Sequence, residues 1–136
     1  MVAISVEYKG DLRCVARHEP SGAQIDTCAP KDNHGAGDRF SPTDLLAASL
    51  ATCIATVLGI YARQKEWNLD GMCIDVKKEM AASGIRRIAS LALEIWIPIP
   101  LSAEDRAKVE KVAHTCPVHM SLHPDIDVPM TFHWKE

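Results

Sequence analysis

The sequence predicts an α+β fold, and three observations predict it: short runs of alternating apolar and polar residues at both ends, a long apolar helix with a capped start at Ser41-Pro42, and a second capped helix opening at Ser102. With 136 residues the chain is expected to form one domain, 1–136, around one core.

The elements follow in order. Val2, Ile4, Val6 and Tyr8, then Leu12, Cys14 and Ala16, alternate with polar neighbours over residues 2–9 and 12–18, which suits two half-buried strands joined by a tight turn at Lys9-Gly10-Asp11. A third strand, residues 23–28, follows Ser21-Gly22 and completes an antiparallel meander. Residues 29–40, APKDNHGAGDRF, collect Pro, Asp, Asn and Gly and read as a loop. Ser41 is placed as an N-cap, Pro42 at the first helical position and Asp44 near the positive end of the helix dipole. From Leu45 to Tyr61 almost every face is apolar or carries a small hydroxyl, and no charge comes before Arg63, so this helix is expected to be buried at the centre and to stop near residues 68–71.

Two long runs, 72–82 and 85–97, are separated by Ser83-Gly84 and predict two more strands of an antiparallel sheet, the second with Leu91, Leu93, Ile95 and Ile97 on one face. Pro98 and Pro100 are expected to close it, because neither can donate to a ladder. Glu104 and Asp105 sit in the first turn of the helix that Ser102 opens, and it should end near Thr115. Cys116-Pro117 then has the form of a cap and first residue of a short helix reaching about Leu122, and residues 128–134 form a last strand. The order is β-β-β-α-β-β-α-α-β, with no repeat or linker.

Composition narrows the function. The net charge of -3 arises from 15 basic and 18 acidic residues without a basic stripe, so neither nucleic acid nor an anionic membrane surface is an expected partner. Aromatic residues are only 5%, which leaves few platforms for stacking bases or sugars. The N-terminus, MVAISVEYKG, lacks the apolar segment of a secretory signal, and no stretch of about 18 uninterrupted apolar residues is present, so a cytoplasmic protein without a membrane span is expected. Five cysteines without CxxC spacing do not make a disulfide framework, and free thiols are expected.

Which thiols react is the next question. Cys53, mid-helix, reads as a small core hydrophobe, and a thiolate there needs a cation from elsewhere. Cys116 differs, because Pro117 behind it starts a helix whose first N–H groups would face the sulfur and favour the thiolate. His114 and His119 flank it, but His-x-Cys-x-x-His has no fourth spaced ligand, so no metal is expected. Cys14, Cys28 and Cys73 fall on strands and read as packing residues, and His34 reads as an exposed loop residue.

SPTDLLAASLATC entering the long helix, HTCPVHMSL after the second helix, the early Tyr-Lys-Gly-Asp-Leu-Arg turn and the element order together resemble the OsmC/Ohr family over essentially the whole chain. The resemblance implies an intertwined homodimer with a long buried central helix. It implies a thiol-dependent reductase of organic hydroperoxides, without metal or organic cofactor, in which Cys53 becomes a sulfenic acid and Cys116 condenses with it to a disulfide that an external dithiol reduces. An early arginine activates the reacting thiolate in the family; Arg13 is the best positional match, with Arg17 and Arg39 as alternatives. The family's studied peroxidases hold that arginine with a Glu ten residues before the reactive Cys, where this sequence has Thr43. At about 100° per residue, nine positions place Asp44 on nearly the opposite face from Cys53, so Asp44 is no substitute, whereas Asp38 in the loop is a carboxylate that could reach the arginine. The missing Glu leaves a second reading open, a module that binds a small hydrophobic ligand without turnover.

Overall fold

The computed structural model describes Met1–Glu136 and contains the expected elements in the expected order. It divides into two compact units, Met1–Leu46 and Ala47–Glu136.

In the first unit, β1 (Ile4–Gly10), β2 (Arg13–His18) and β3 (Gln24–Cys28) form an antiparallel meander in the order β1-β2-β3. The turn at residues 10–12 is left-handed throughout, with Gly10, Asp11 and Leu12 at φ 90°, 54° and 61°, and it shifts the register between Tyr8 and Gly10. Val2, Ile4, Val6, Tyr8 and Ile25 alternate as expected, yet all are at least half exposed in the single chain. The loop after β3 is closed at its base, where the Cys28 N–H donates to the Phe40 carbonyl at 3.2 Å and Thr27 bridges Phe40. Inside it a 3₁₀ turn at Lys31–Asn33 folds back, with the Asn33 and Gly35 N–H groups both donating to the Pro30 carbonyl. Gly35 is required there, because any Cβ would overlap the Ala29 carbonyl.

Helix α1 (Pro42–Gln64) begins with a reciprocal cap: the Asp44 N–H donates to Ser41 Oγ at 3.1 Å, and the Ser41 N–H donates to Asp44 Oδ2 at 2.9 Å. It ends four residues before the expected stop. Glu66 adopts φ 59°, the Trp67 N–H donates to the Ala62 carbonyl and the Glu66 N–H to the Arg63 carbonyl, which is a Schellman closure with Glu in place of Gly. Within the single chain α1 buries one stripe, Ala47, Leu50, Ile54, Leu58 and Ala62, spaced three and four residues apart, while Ile60 on another face is 54% exposed.

By length and mean hydropathy, 2.0, α1 is large and apolar enough to cross a membrane, which corrects the expectation that no stretch reaches that size. The discrepancy lies in its hydroxyls. Thr52 and Thr56 interrupt the run in sequence, but each returns its hydroxyl to a carbonyl of the preceding turn, at 2.9 and 2.8 Å. The core helix of a soluble protein passes the same test.

The second unit holds a sheet in the order β4 (Cys73–Met80), β5 (Ile88–Pro100), β6 (Met130–Lys135). Leu91, Leu93, Ile95 and Ile97 are all buried, confirming the period-2 face. Strand β5 runs on to Pro100, and the missing donors appear as a register shift between Ile97 and Pro100. One pairing departs from the antiparallel expectation: β6 lies parallel to β5. The connection between them contains α2 (Ala103–Ala113) and α3 (Pro117–Met120), and a crossover of that length returns the chain to the same end of the sheet.

Candidate functional site

In the second unit, α1 and the start of α3 bring two cysteines together. Cys53 is half-buried at the middle of α1, and Cys116, the N-cap of α3, is 0% exposed. Their thiols are close enough for Cys53 to act on the titration of Cys116. Pro117 presets the first helical φ, and the His119 N–H donates to Cys116 Sγ at 3.2 Å, so the cap forms as the sequence implies. Its effect on charge does not. Burial pushes the Cys116 thiol above its ordinary range and outweighs the His119 N–H, and the neighbouring Cys53 adds to the rise. Cys116 is thus held as a neutral thiol, which corrects the expectation that the helix start makes it a thiolate.

The flanking histidines are committed differently. His114 Nδ1 lies 2.7 Å from the Glu110 carbonyl, and its ring packs edge-on against His119 at 5.8 Å. The His119 imidazole is pushed below its ordinary pKa, first by burial and then by His114. No set of three His, Cys, Asp or Glu side chains is disposed to hold a metal ion. A groove of about 630 Å³ beside the second half of α1 is lined by Thr56, Ile60, Arg63, Trp67 and Met72 among others, but by neither cysteine.

In the first unit, the Arg13 guanidinium grips Asp38 with two bonds, Nη1 to Oδ1 at 2.9 Å and Nη2 to Oδ2 at 3.0 Å. The closed loop makes this possible by returning Asp38 to the strand that carries Arg13. Arg13, through its hydrogen bonds, holds the Asp38 carboxyl at about 2, with help from Cys28. The Cys28 thiol, 2% exposed, donates to Asp38 Oδ1 at 3.3 Å and lies 3.8 Å from the Arg39 carbonyl.

Of the three arginines considered, only Arg13 makes the bidentate clasp. Arg17 lies 3.6 Å from Glu19, and Arg39 donates to the Asp38 carbonyl at 2.8 Å. Thr43, which stands in the place of the family Glu, is 3.2 Å from Ser41 Oγ, and Asp44 is committed to the cap, so the loop carboxylate takes the arginine. The sequence pattern places Cys28 as a packing residue. It is buried, but it also belongs to the charge cluster, and the only signal for this is the cross-strand register Arg13↔Cys28. Cys73, also read as packing, is exposed at the start of β4, with its thiol donating to the Gly71 carbonyl at 3.4 Å.

Comparison with known proteins follows the same lines. The family described as OsmC-like protein matches residues 35–131. Among solved structures, a candidate osmotic stress induced and detoxification response protein from Psychrobacter arcticus is 43% identical, with 98% of this chain and 96% of that one covered and a TM-score of 0.92. The organic hydroperoxide resistance protein OsmC of Legionella pneumophila is 18% identical, with 97% and 96% covered and a TM-score of 0.78. The organic hydroperoxide resistance protein OhrB of Bacillus subtilis is also 18% identical, with 98% of each chain covered and a TM-score of 0.73. The last two likenesses establish the fold alone. No curated protein matches.

Proposed function

The chain belongs to the OsmC family, and from that premise we propose that it is a cytoplasmic thiol peroxidase that reduces organic hydroperoxides to alcohols, with Cys53 as the attacking sulfur and Cys116 as the resolving one. The observation that supports this reading is that two elements far apart in sequence, α1 and the start of α3, bring Cys53 and Cys116 close enough for one thiol to influence the other. A binding module has no need of two adjoining cysteines.

The reaction assigns each thiol a different protonation state. The Cys53 thiolate attacks one oxygen of the hydroperoxide, the O–O bond breaks, and the alkoxide leaves as alcohol after taking a proton, so the sulfur is oxidised to sulfenic acid. Cys116 then forms the S–S bond, and the sulfenic hydroxyl departs as water with the Cys116 proton. A thiol kept neutral by burial carries that proton into the step. An external dithiol reduces the disulfide and closes the cycle.

A thiolate at mid-helix needs a cation, and Arg13 is assigned that role from its matching position in the family. Its bidentate clasp with Asp38 supports this assignment, because Asp38 offers a carboxylate where Thr43 does not. Homodimer formation is part of the same proposal. Its support is the apolar surface left uncovered in one chain, Ile4, Val6 and Tyr8 at 65%, 64% and 63% exposure on β1 and Ile60 on α1.

The test is a count of free thiols in reduced protein before and after one equivalent of cumene hydroperoxide, with Cys53→Ser and Cys116→Ser in parallel. Loss of two thiols in the wild type is expected, none in Cys53→Ser, and a dimedone-trappable sulfenic acid in Cys116→Ser. Unchanged thiols in the wild type overturn the peroxidase reading in favour of ligand binding.

A further inference from the structure

We infer that Cys28 is a positioning residue, which through its thiol fixes the Asp38 carboxylate and thereby the orientation of the Arg13 guanidinium. Its importance for reactivity rests on the assignment of Arg13 given above; its action on Asp38 does not.

Three observations within the first unit carry the inference. Strand register sets Arg13 and Cys28 opposite each other on β2 and β3, so both side chains start from neighbouring backbone positions. The loop closed by the Cys28 N–H and the Phe40 carbonyl brings Asp38 back over that pair. One carboxylate oxygen, Oδ1, then accepts from Arg13 Nη1 at 2.9 Å and from Cys28 Sγ at 3.3 Å. A guanidinium alone leaves a carboxylate free to pivot on a mobile side chain, and both partners here are partly exposed, at 39% and 48%. Cys28 is 2% exposed and sits at the buried end of β3, so its thiol ties the pair to a hydrogen-bonded strand from a position that water does not reach. Packing alone would be served equally well by any small side chain and would not need a donor directed at Oδ1.

Two variants separate the roles. Cys28→Ala removes the donor, and Cys28→Ser keeps a donor at nearly the same volume. The first readout is the Asp38 carboxyl ¹³C shift titrated downward from pH 5, which depends on neither catalysis nor Cys53. In Cys28→Ala its midpoint should rise from about 2 by roughly half a unit, while Cys28→Ser stays near the wild type. The second readout is the pH profile of Cys53 alkylation by iodoacetamide, followed on the Cys53 peptide. Cys28→Ala should react about threefold more slowly at neutral pH, with Cys28→Ser restoring the rate. Identical Asp38 midpoints in all three proteins overturn the inference, as does an equal loss in both variants, which would make Cys28 a packing residue. A shifted midpoint with an unchanged Cys53 profile overturns the link to reactivity while leaving the clasp intact. Failure of the peroxidase reading shows separately, as a wild type whose thiols survive hydroperoxide.

Discussion

The two clusters of reactive groups are built on opposite principles. The pair Cys53 and Cys116 lies in a unit whose core is closed: Leu50, Ile54, Leu58, Leu91 and Ile95 are all 0% exposed, and Cys116 is buried with them. The cluster Arg13, Asp38 and Cys28 lies in a unit whose apolar side chains are largely open, where a three-stranded ladder is joined by an ion pair, a closed loop and one buried thiol. Apolar burial keeps a thiol neutral, as it does at Cys116, whereas charge pairing at a wet edge keeps a carboxylate ionised, as at Asp38. The proposed peroxidase reading uses both environments, one to hold the resolving proton and one to offer a fixed cation.

Truncation in the core gives the sharpest test of this contrast. Ile54 follows Cys53 directly and is 0% exposed, so Ile54→Ala should cost about 2–5 kcal/mol in urea unfolding and make Cys116 more accessible to alkylation. In the first unit Ile25 is 50% exposed, and Ile25→Ala should cost no more than about 0.5 kcal/mol if that surface faces water. A larger cost for Ile25→Ala, growing with protein concentration, would mean that a second copy covers the open sheet and would break the contrast in favour of the dimer.

These two regions also differ in how far the sequence reveals them. Capping residues, turn glycines and hydrophobic period are local signals, so Ser41-Pro42, Ser102 and Cys116-Pro117 mark their helices within a residue, and Cys53 with Cys116 is legible through a resemblance to known chains. The Schellman stop at Glu66 escapes because Glu rarely takes a left-handed conformation. The parallel pairing of β6 escapes because hydrophobic alternation carries no strand direction. Cys28 escapes for a stronger reason: its role depends on register with Arg13 and on the return of Asp38 around a closed loop, and both are long-range facts. Arg13 and Asp38 are individually visible as charges, but their bidentate geometry is not.

Acid should affect the clusters unequally. The Asp38 carboxyl stands at about 2, below its ordinary 3.8, because Arg13 and then Cys28 favour the ionised form. A depressed carboxyl contributes its stabilisation in full above the ordinary value and loses it as pH falls from about 4 toward 2, where the folded state must also take up the proton. Asp38→Asn should remove that part of the acid dependence. Urea midpoints at pH 5 and at pH 3 check this, and a wild-type difference no larger than that of Asp38→Asn would show that the clasp contributes nothing to the folded state.

The smallest effect concerns His119, which belongs to the buried side of the comparison. Burial and then His114 hold its imidazole below the ordinary 6.5, so the folded state resists the proton that the unfolded chain accepts. The unfolded chain therefore binds more protons as pH falls below about 6.5, and stability decreases toward lower pH, whereas above that value neither state is charged and the effect vanishes. His119→Gln removes the titrating group and should flatten the decline between about pH 7 and pH 5. His114→Gln removes only the second cause and should flatten it less. Urea midpoints across that window distinguish the two. If His114→Gln flattens the decline as much as His119→Gln, charge repulsion between the rings governs His119 and the burial attributed to the second unit does not extend to this turn.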